Sequence, residues 1–486
     1  MSCSLTTMVP RPRETFLTEA PLAPLLDHAV ASPHASLVSP VEQVVVIVDP
    51  LSTGVLLQKR LLESGNYRVV IVWSDRTQPA CREKHFARAG FAQDAFAAVI
   101  AHQEGQLEDT LLKIIAAAGT MHIAAVFCGS EFGVLLEDQI ANGLNQKLGV
   151  HHLKASGIPI LTTKVDKHLQ ANLLRQAGLD AVRETLARTD DHVRAFLQAN
   201  QGSKAFVVKP QTGAGSVGVT FCDSEQAVWA AFHKILAGQH KAHCGDRYRH
   251  YTQAGVLLQE YLNGTEYIVN AVVHNGTPKT TAMWKYDKRP YNGASFLCFS
   301  KELQVVSDEN CQEIVEYTEK VLQAIGFQNG AIHAEIMYTN RGPVLVEVNC
   351  RLHGGNGAWV HPAKQCMGYD QLSMLMDVYL NDAKIFHSIP ARPTTAHSYC
   401  HQVKMRSHVQ GTLKRVIPEQ WERILALPSY VEHVFGVRPG DQILKSVDMP
   451  SIPGEITLVH PDKHVLAADY QLLNTILAEG IFEVYE

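Results

Sequence analysis

Two runs of alternating residues, AIHAEIMY (Ala331 to Tyr338) and PVLVEVNCR (Pro343 to Arg351), are joined through Asn340-Arg341-Gly342-Pro343. Turn residues between two period-two runs specify an antiparallel hairpin. With the turn centred near Arg341, Glu335 and Glu347 stand equally far from it and are predicted to face each other, their Cβ atoms about 5 Å apart. The period of two also puts Glu347, Asn349 and Arg351 on one face and Val344, Val346 and Val348 on the other. Like charges directly opposite destabilise a sheet, so the arrangement makes sense with a cation between them. Two carboxylates and an amide oxygen suit Mg²⁺, with Mn²⁺ as the alternative ion. A plain exposed hairpin would explain two outward glutamates, but not the Glu-x-Asn-x-Arg alternation.

The segment VVKPQTGAGSVGV carries Gly213, Gly215 and Gly218 in a G-x-G-x-x-G pattern. Its dinucleotide reading needs a helix directly after it, and here β-like residues follow; no Gly-Lys-Ser/Thr makes it a Walker loop either. A hairpin with a glycine-rich tip, Gly213, Ala214, Gly215 and Ser216, and with Lys209 closing its first strand, is the form of a flap whose amides cover phosphates. Downstream, LLQEYLNGTEY offers backbone groups of Gln259, Glu260, Tyr261 and Leu262 to adenine and Glu266 to ribose hydroxyls, although a core strand with an exposed carboxylate explains that run equally well. Upstream, Asp166 is the expected N-cap of a helix with Lys167 in its first turn and Gly178 past its end.

The rest of the chain supplies the frame. VVVIVDP, RVVIVWSD and IAAVFCGSE read as buried strands of an open, Rossmann-like α/β sheet, whose strand ends bring Asp49 and Glu131 forward as site candidates against the alternative that both cap the next helix. We expect a mobile arm over residues 1–40, an N-terminal α/β domain over 41–155, a lid over 156–262, a catalytic subdomain over 263–385 and a C-terminal α+β lobe over 386–486. A formal charge of −5 and the absence of a long basic run argue against nucleic acid, and no apolar stretch is long enough for a membrane helix. Ten cysteines without a C-x-x-C fit reduced thiols in a cytoplasmic protein.

In combination, the order Lys167, Lys209, glycine flap, QEYL, Glu266, Glu335, Glu347, Asn349, Arg351 resembles the ATP-grasp superfamily of carboxylate–amine ligases over roughly residues 41 to 380. The resemblance implies that both lysines contact nucleotide phosphates, the QEYL segment holds adenine, and Glu335, Glu347 and Asn349 bind Mg²⁺. The ending VEVNCRLHGG, with SEFGVLLED and the final hundred residues, is similar to L-amino acid ligases that make dipeptides. That implies Arg351 on an acyl phosphate and its oxyanion, Glu131, His274 and Gly355 near small-molecule amino-acid substrates, and a homodimer. Relatives often carry proline where Cys350 stands. Another ATP-grasp ligase or carboxylase, or a nucleotide-binding regulatory protein without turnover, are the rival readings.

Overall fold

The computed structural model describes residues 43–485 except 80, 84, 86–89, 91, 92, 213–217 and 239–254. The expected N-terminal arm and the flap tip, Gly213, Ala214, Gly215 and Ser216, lie outside the described residues.

Four parallel strands open the fold: β1 (Gln43–Val48), β2 (Tyr67–Trp73), β3 (Ala98–Ala101) and β4 (His122–Cys128), in the order β3-β2-β1-β4. Their near-continuous apolar runs are those of strands covered on both faces. Helices Leu107–Ala118 and Val134–Leu148 cover one side, packing on Val44, Val46 and Val48. On the other side Val45 and Ile47 share a core with helices Gly54–Glu63, Val360–Met367 and Gln371–Leu380. That shared core fixes the first sheet against the second half of the chain.

A small antiparallel sheet follows, with strands β5 (Glu184–Ala187), β6 (Phe206–Pro210), β7 (Thr220–Cys222) and β8 (Val256–Glu260) in the order β5-β8-β6-β7. Helices Asp190–Ala199 and Glu225–Leu236 pack on its apolar face. The largest sheet contains β9 (Gly264–His274), β10 (Thr277–Tyr291), β11 (Ala294–Gln304), β12 (Gly330–Thr339), β13 (Gly342–Asn349) and β14 (Tyr399–Met405), and continues into strands Gly454–His460 and Tyr430–Phe435. Its order is β13-β12-β9-β10-β11-β14 and then those two strands.

Two features differ from the expectation. Residues Thr277–Gln304 form two long strands, β10 and β11, which the motifs above do not announce. The sheet also runs without a break through the expected boundary at 385/386, because β14 pairs directly with β11.

The two faces of this sheet do different jobs. Tyr267, Val269, Ala271 and Val273 with Ile332, Ala334 and Ile336 pack on helix Glu309–Ile325. The alternate residues of the same strands, Glu266, Asn270, His333 and Glu335, line the opposite face.

Candidate active site

Glu335 on β12 and Glu347 on β13 are direct register partners across the hairpin, and Glu335 is in turn opposite Ile268 on β9. The register shifts between Glu335 and Ile336, a bulge that re-aims the strand beside the carboxylate. Asn349 lies two residues beyond Glu347 and donates Nδ2–H to Glu347 Oε1 (3.2 Å) and to the carbonyl of His333 (3.3 Å). Arg351 donates from Nε to Glu131 Oε2 (2.7 Å), from Nη2 to Asn349 Oδ1 (3.2 Å) and from Nη1 to the carbonyl of Leu352 (2.9 Å). Glu131 follows β4, so this contact joins the first sheet to the hairpin.

Two lysines reach the same face. Asp166 caps helix Lys167–Gln176 by accepting from Leu169 N (3.1 Å) and also accepts from Gln211 Nε2 (2.7 Å), tying that helix to the end of β6. Lys167 Nζ lies 2.6 Å from Glu347 Oε2. Burial works against its charge, but Glu347, Glu131 and Glu335 hold its pKa above the ordinary lysine value. Lys209 on β6 is buried and makes no ion pair among the described residues. Burial and the neighbouring Lys167 push its pKa down against the pull of Glu347, Glu184 and Glu335. A buried cation short of compensation is a prepared seat for an anion.

Glu335 keeps its charge although burial opposes it, because the His333 hydrogen bond and the nearby Lys288 and Lys167 bring its pKa down to about 2. Glu266 behaves otherwise: burial and the charges of Glu335 and Glu347 raise it, even with Lys288 Nζ at 2.5 Å from its Oε2. Of the QEYL segment, Gln259 donates to Glu184 (2.5 Å) and Glu260 pairs with Arg183 and Arg341 at 2.6 and 2.9 Å. Tyr261 stacks on Phe296 and Leu262 packs beside Ala171, Val182 and Val344. Glu260 N and Tyr261 N also donate to the carbonyls of Arg183 (2.9 Å) and Ala205 (3.4 Å), so these side chains and two of the segment's backbone N–H groups are committed.

Gly355 sits in a short turn at φ +68°, with open space where a Cβ would be. The turn is anchored to the first sheet: Thr53 Oγ1 donates to the carbonyl of His353 (2.5 Å), and Asn356 N donates to Ser52 Oγ (3.0 Å). His274 does not join the cluster. It ends β9 six residues beyond Ile268, about 20 Å along the strand, with its ring against Phe386 and His387. Asp49 also turns away: at φ +50° its Oδ1 accepts from Ser74 N (3.0 Å), and burial raises its pKa to about 6. Cys350 is buried, and burial pushes its thiol up to about 12.

The sequence reading overlooked His333, Asn270, Lys288 and Lys301. The period of two carried a signal for the first two, since His333 precedes Glu335 by two positions and Asn270 follows Glu266 by four.

Lys167 and Lys209 stand close to the facing glutamates of the largest sheet, and residues 203–359 match the ATP-grasp domain family. The chain carries an ATP-grasp domain. It is 29% identical to dapdiamide A synthase of Enterobacter agglomerans, over 71% of this chain and 77% of that protein. The alanine–anticapsin ligase of Bacillus subtilis (strain 168) is 22% identical over 55% of this chain and 59% of its own length. The fold matches the L-amino acid ligase from Bacillus licheniformis with a TM-score of 0.65, at 15% identity, over 92% of this chain and 99% of the other. This ATP-grasp chain is an ATP-dependent ligase that forms a carbon–nitrogen bond between a carboxylate and an amine. Among the described residues no helix is long and apolar enough to cross a membrane.

Proposed function

We propose that the ligase activates the carboxylate of one amino acid as an acyl phosphate and passes it to the amino group of a second, giving a dipeptide with ADP and phosphate. The observation that carries this reading is the pair Glu335 and Glu347 in register, with Lys167, Lys209 and Arg351 around them. The names of the relatives support amino acids as the substrate class.

The donor set fits a hard divalent ion. Among the described residues no three His, Cys, Asp or Glu side chains gather as a complete metal cage. Two carboxylates and the Asn349 amide leave coordination positions for water and nucleotide phosphates, which is how Mg²⁺ is commonly held. When bound there, Mg²⁺ neutralises phosphate charge. Lys167 and Lys209 supply positive charge to the same phosphates, and the flap amides exclude water that would hydrolyse the activated acid. Leu262 and its neighbours hold adenine through the backbone, and Glu266 takes the ribose.

Arg351 is aimed by Glu131 and Asn349, so its guanidinium is held for the acyl phosphate and for the oxyanion that forms when the amine attacks. Most of the rate comes from holding two substrates in line. The open space at Gly355 admits a bulky side chain on the activated acid. A homodimer belongs to the same reading, and light scattering that returns the monomer mass would remove it.

The test is release of ADP and phosphate with the twenty amino acids offered singly and in pairs, followed by mass analysis. Release that requires a pair and yields a product heavier by one condensation supports the reading. Release with amino acids that yields no condensation product, or with bicarbonate alone, contradicts it.

A further inference from the structure

Behind Glu335 runs a chain of four buried polar side chains. His333 Nε2 lies 3.4 Å from Glu335 Oε1, and His333 Nδ1 lies 3.0 Å from the Asn270 amide. The other atom of that amide lies 3.0 Å from His353 Nδ1, and His353 Nε2 lies 3.4 Å from Lys301 Nζ. The two imidazoles are stacked with centroids 4.3 Å apart, and His353 stacks in turn on Trp359. Asn270, His333, His353 and Lys301 are each at most 5% exposed, and Lys301 forms no ion pair among the described residues.

With Lys301 protonated, donor and acceptor rules order the protons along this chain. An ammonium group donates and never accepts, so His353 Nε2 must accept from Lys301. A neutral His353 then carries its proton on Nδ1 and donates it to the oxygen of Asn270. The structure sets Asn270 Oδ1 at His333 Nδ1 and Nδ2 at His353 Nδ1; turned over to match these bonds, the amide points its nitrogen at His333 Nδ1, which accepts, and the His333 proton lies on Nε2, directed at Glu335. The oxygen and nitrogen of an amide are assigned from the bonds they make, and exchanging them keeps both 3.0 Å contacts. The opposite arrangement would set two donors against each other at Lys301 and a lone pair against the carboxylate at Glu335.

We propose that Asn270 is a positioning residue that transmits the orientation set by Lys301 through two histidines, so that an N–H donor holds Glu335 for its metal ion. This rests on the reading of Glu335 as a metal ligand. Partners that orient a metal ligand are worth about 10- to 100-fold in metal affinity.

The experiment has two arms. In the full-length, metal-free chain labelled with ¹⁵N-histidine, and assigned with His333→Gln and His353→Gln, NMR should find His333 protonated on Nε2 alone and His353 on Nδ1 alone. Protonation of His333 on Nδ1 or of His353 on Nε2 overturns the relay. In the second arm, Asn270→Leu and His333→Leu should raise the Mn²⁺ concentration for half-maximal binding, read by electron spin resonance with ADP present, by about tenfold. His333→Gln, whose amide supplies the same donor, should restore it. Glu335→Gln separates the claims: if it leaves Mn²⁺ binding unchanged, the metal reading fails. If it weakens binding and Asn270→Leu does not, the relay alone fails.

Discussion

Lys164 ends a short turn (Leu161–Lys164) and Lys167, three residues on, opens the helix that follows; both carry buried charge, and they do opposite things. Lys164 is closed off: its Nζ lies 3.2 Å from Glu137 and 3.3 Å from Asp138, and Asp138 also accepts from Ser156 N at 2.6 Å. Burial pushes Glu137 up to about 8 against the pull of Lys164, so the set balances itself near neutral pH. Lys167 instead opens onto Glu347, with Lys209, Glu335, Glu131 and Arg351 around it and no such closure at Lys209. Buried charge by itself therefore does not mark a site; charge that its neighbours leave incompletely matched does.

The sharpest way to break this comparison is to remove one charge from each cluster. Glu347→Gln should lower turnover by at least about 10²-fold while leaving the unfolding midpoint close to that of the parent, because one ligand charge disappears and repulsion with Glu335 falls. Lys164→Met should do the reverse. It strands two buried carboxylates and should cost about 3–5 kcal/mol in urea unfolding, with turnover per folded molecule retained. Loss of activity without loss of stability at Lys164, or the converse at Glu347, would erase the distinction.

Lys209→Met sharpens the same point at smaller scale. Removing an uncompensated buried cation should weaken ATP binding about tenfold, roughly 1.4 kcal/mol, in calorimetry, yet leave the nucleotide-free protein at least as stable. Unchanged affinity would take Lys209 out of the site.

Asp49 belongs with the closed group, and its pH dependence tests that. Its folded pKa of about 6 lies above the ordinary 3.8, so the folded state holds the proton more tightly. The stability this gives is complete below pH 3.8 and is lost as pH rises through 6. Asp49→Asn keeps an acceptor for Ser74 N and avoids burying charge. It should therefore stabilise the protein by about 2–3 kcal/mol at pH 8 and by nothing at pH 4, followed by thermal unfolding. Equal effects at both pH values would contradict it. Gly355→Asn, the smallest effect, should cost about 1 kcal/mol or less at this left-handed position and narrow the range of acids accepted.

The sequence made the site legible where chemistry repeats at short spacing. Glu335 and Glu347 do face each other as expected, but the turn alone pairs Thr339 with Gly342 and Ile336 with Leu345, and it is the register shift between Glu335 and Ile336, which counting from Arg341 does not announce, that brings Glu347 rather than Val346 opposite Glu335. The Asp166 cap and Lys167 were readable as local hydrogen-bonding patterns. His353 and Lys301 were not, since they come from separate segments and meet only after the long β9, β10 and β11 pair. His274 ends β9 six residues beyond Ile268, so its distance from the two glutamates is set by the length of that strand, which residue type alone does not announce. The break expected at 385/386 failed to appear because nothing local announces that β14 will add to β11.

Anomalous diffraction from crystals grown with Mn²⁺ and a non-hydrolysable ATP analogue reaches the central claim most directly. The account predicts a manganese peak within about 2.2 Å of carboxylate oxygens of both Glu335 and Glu347, with the analogue's phosphates completing its shell. A peak bound elsewhere, or one touching neither glutamate, would contradict it.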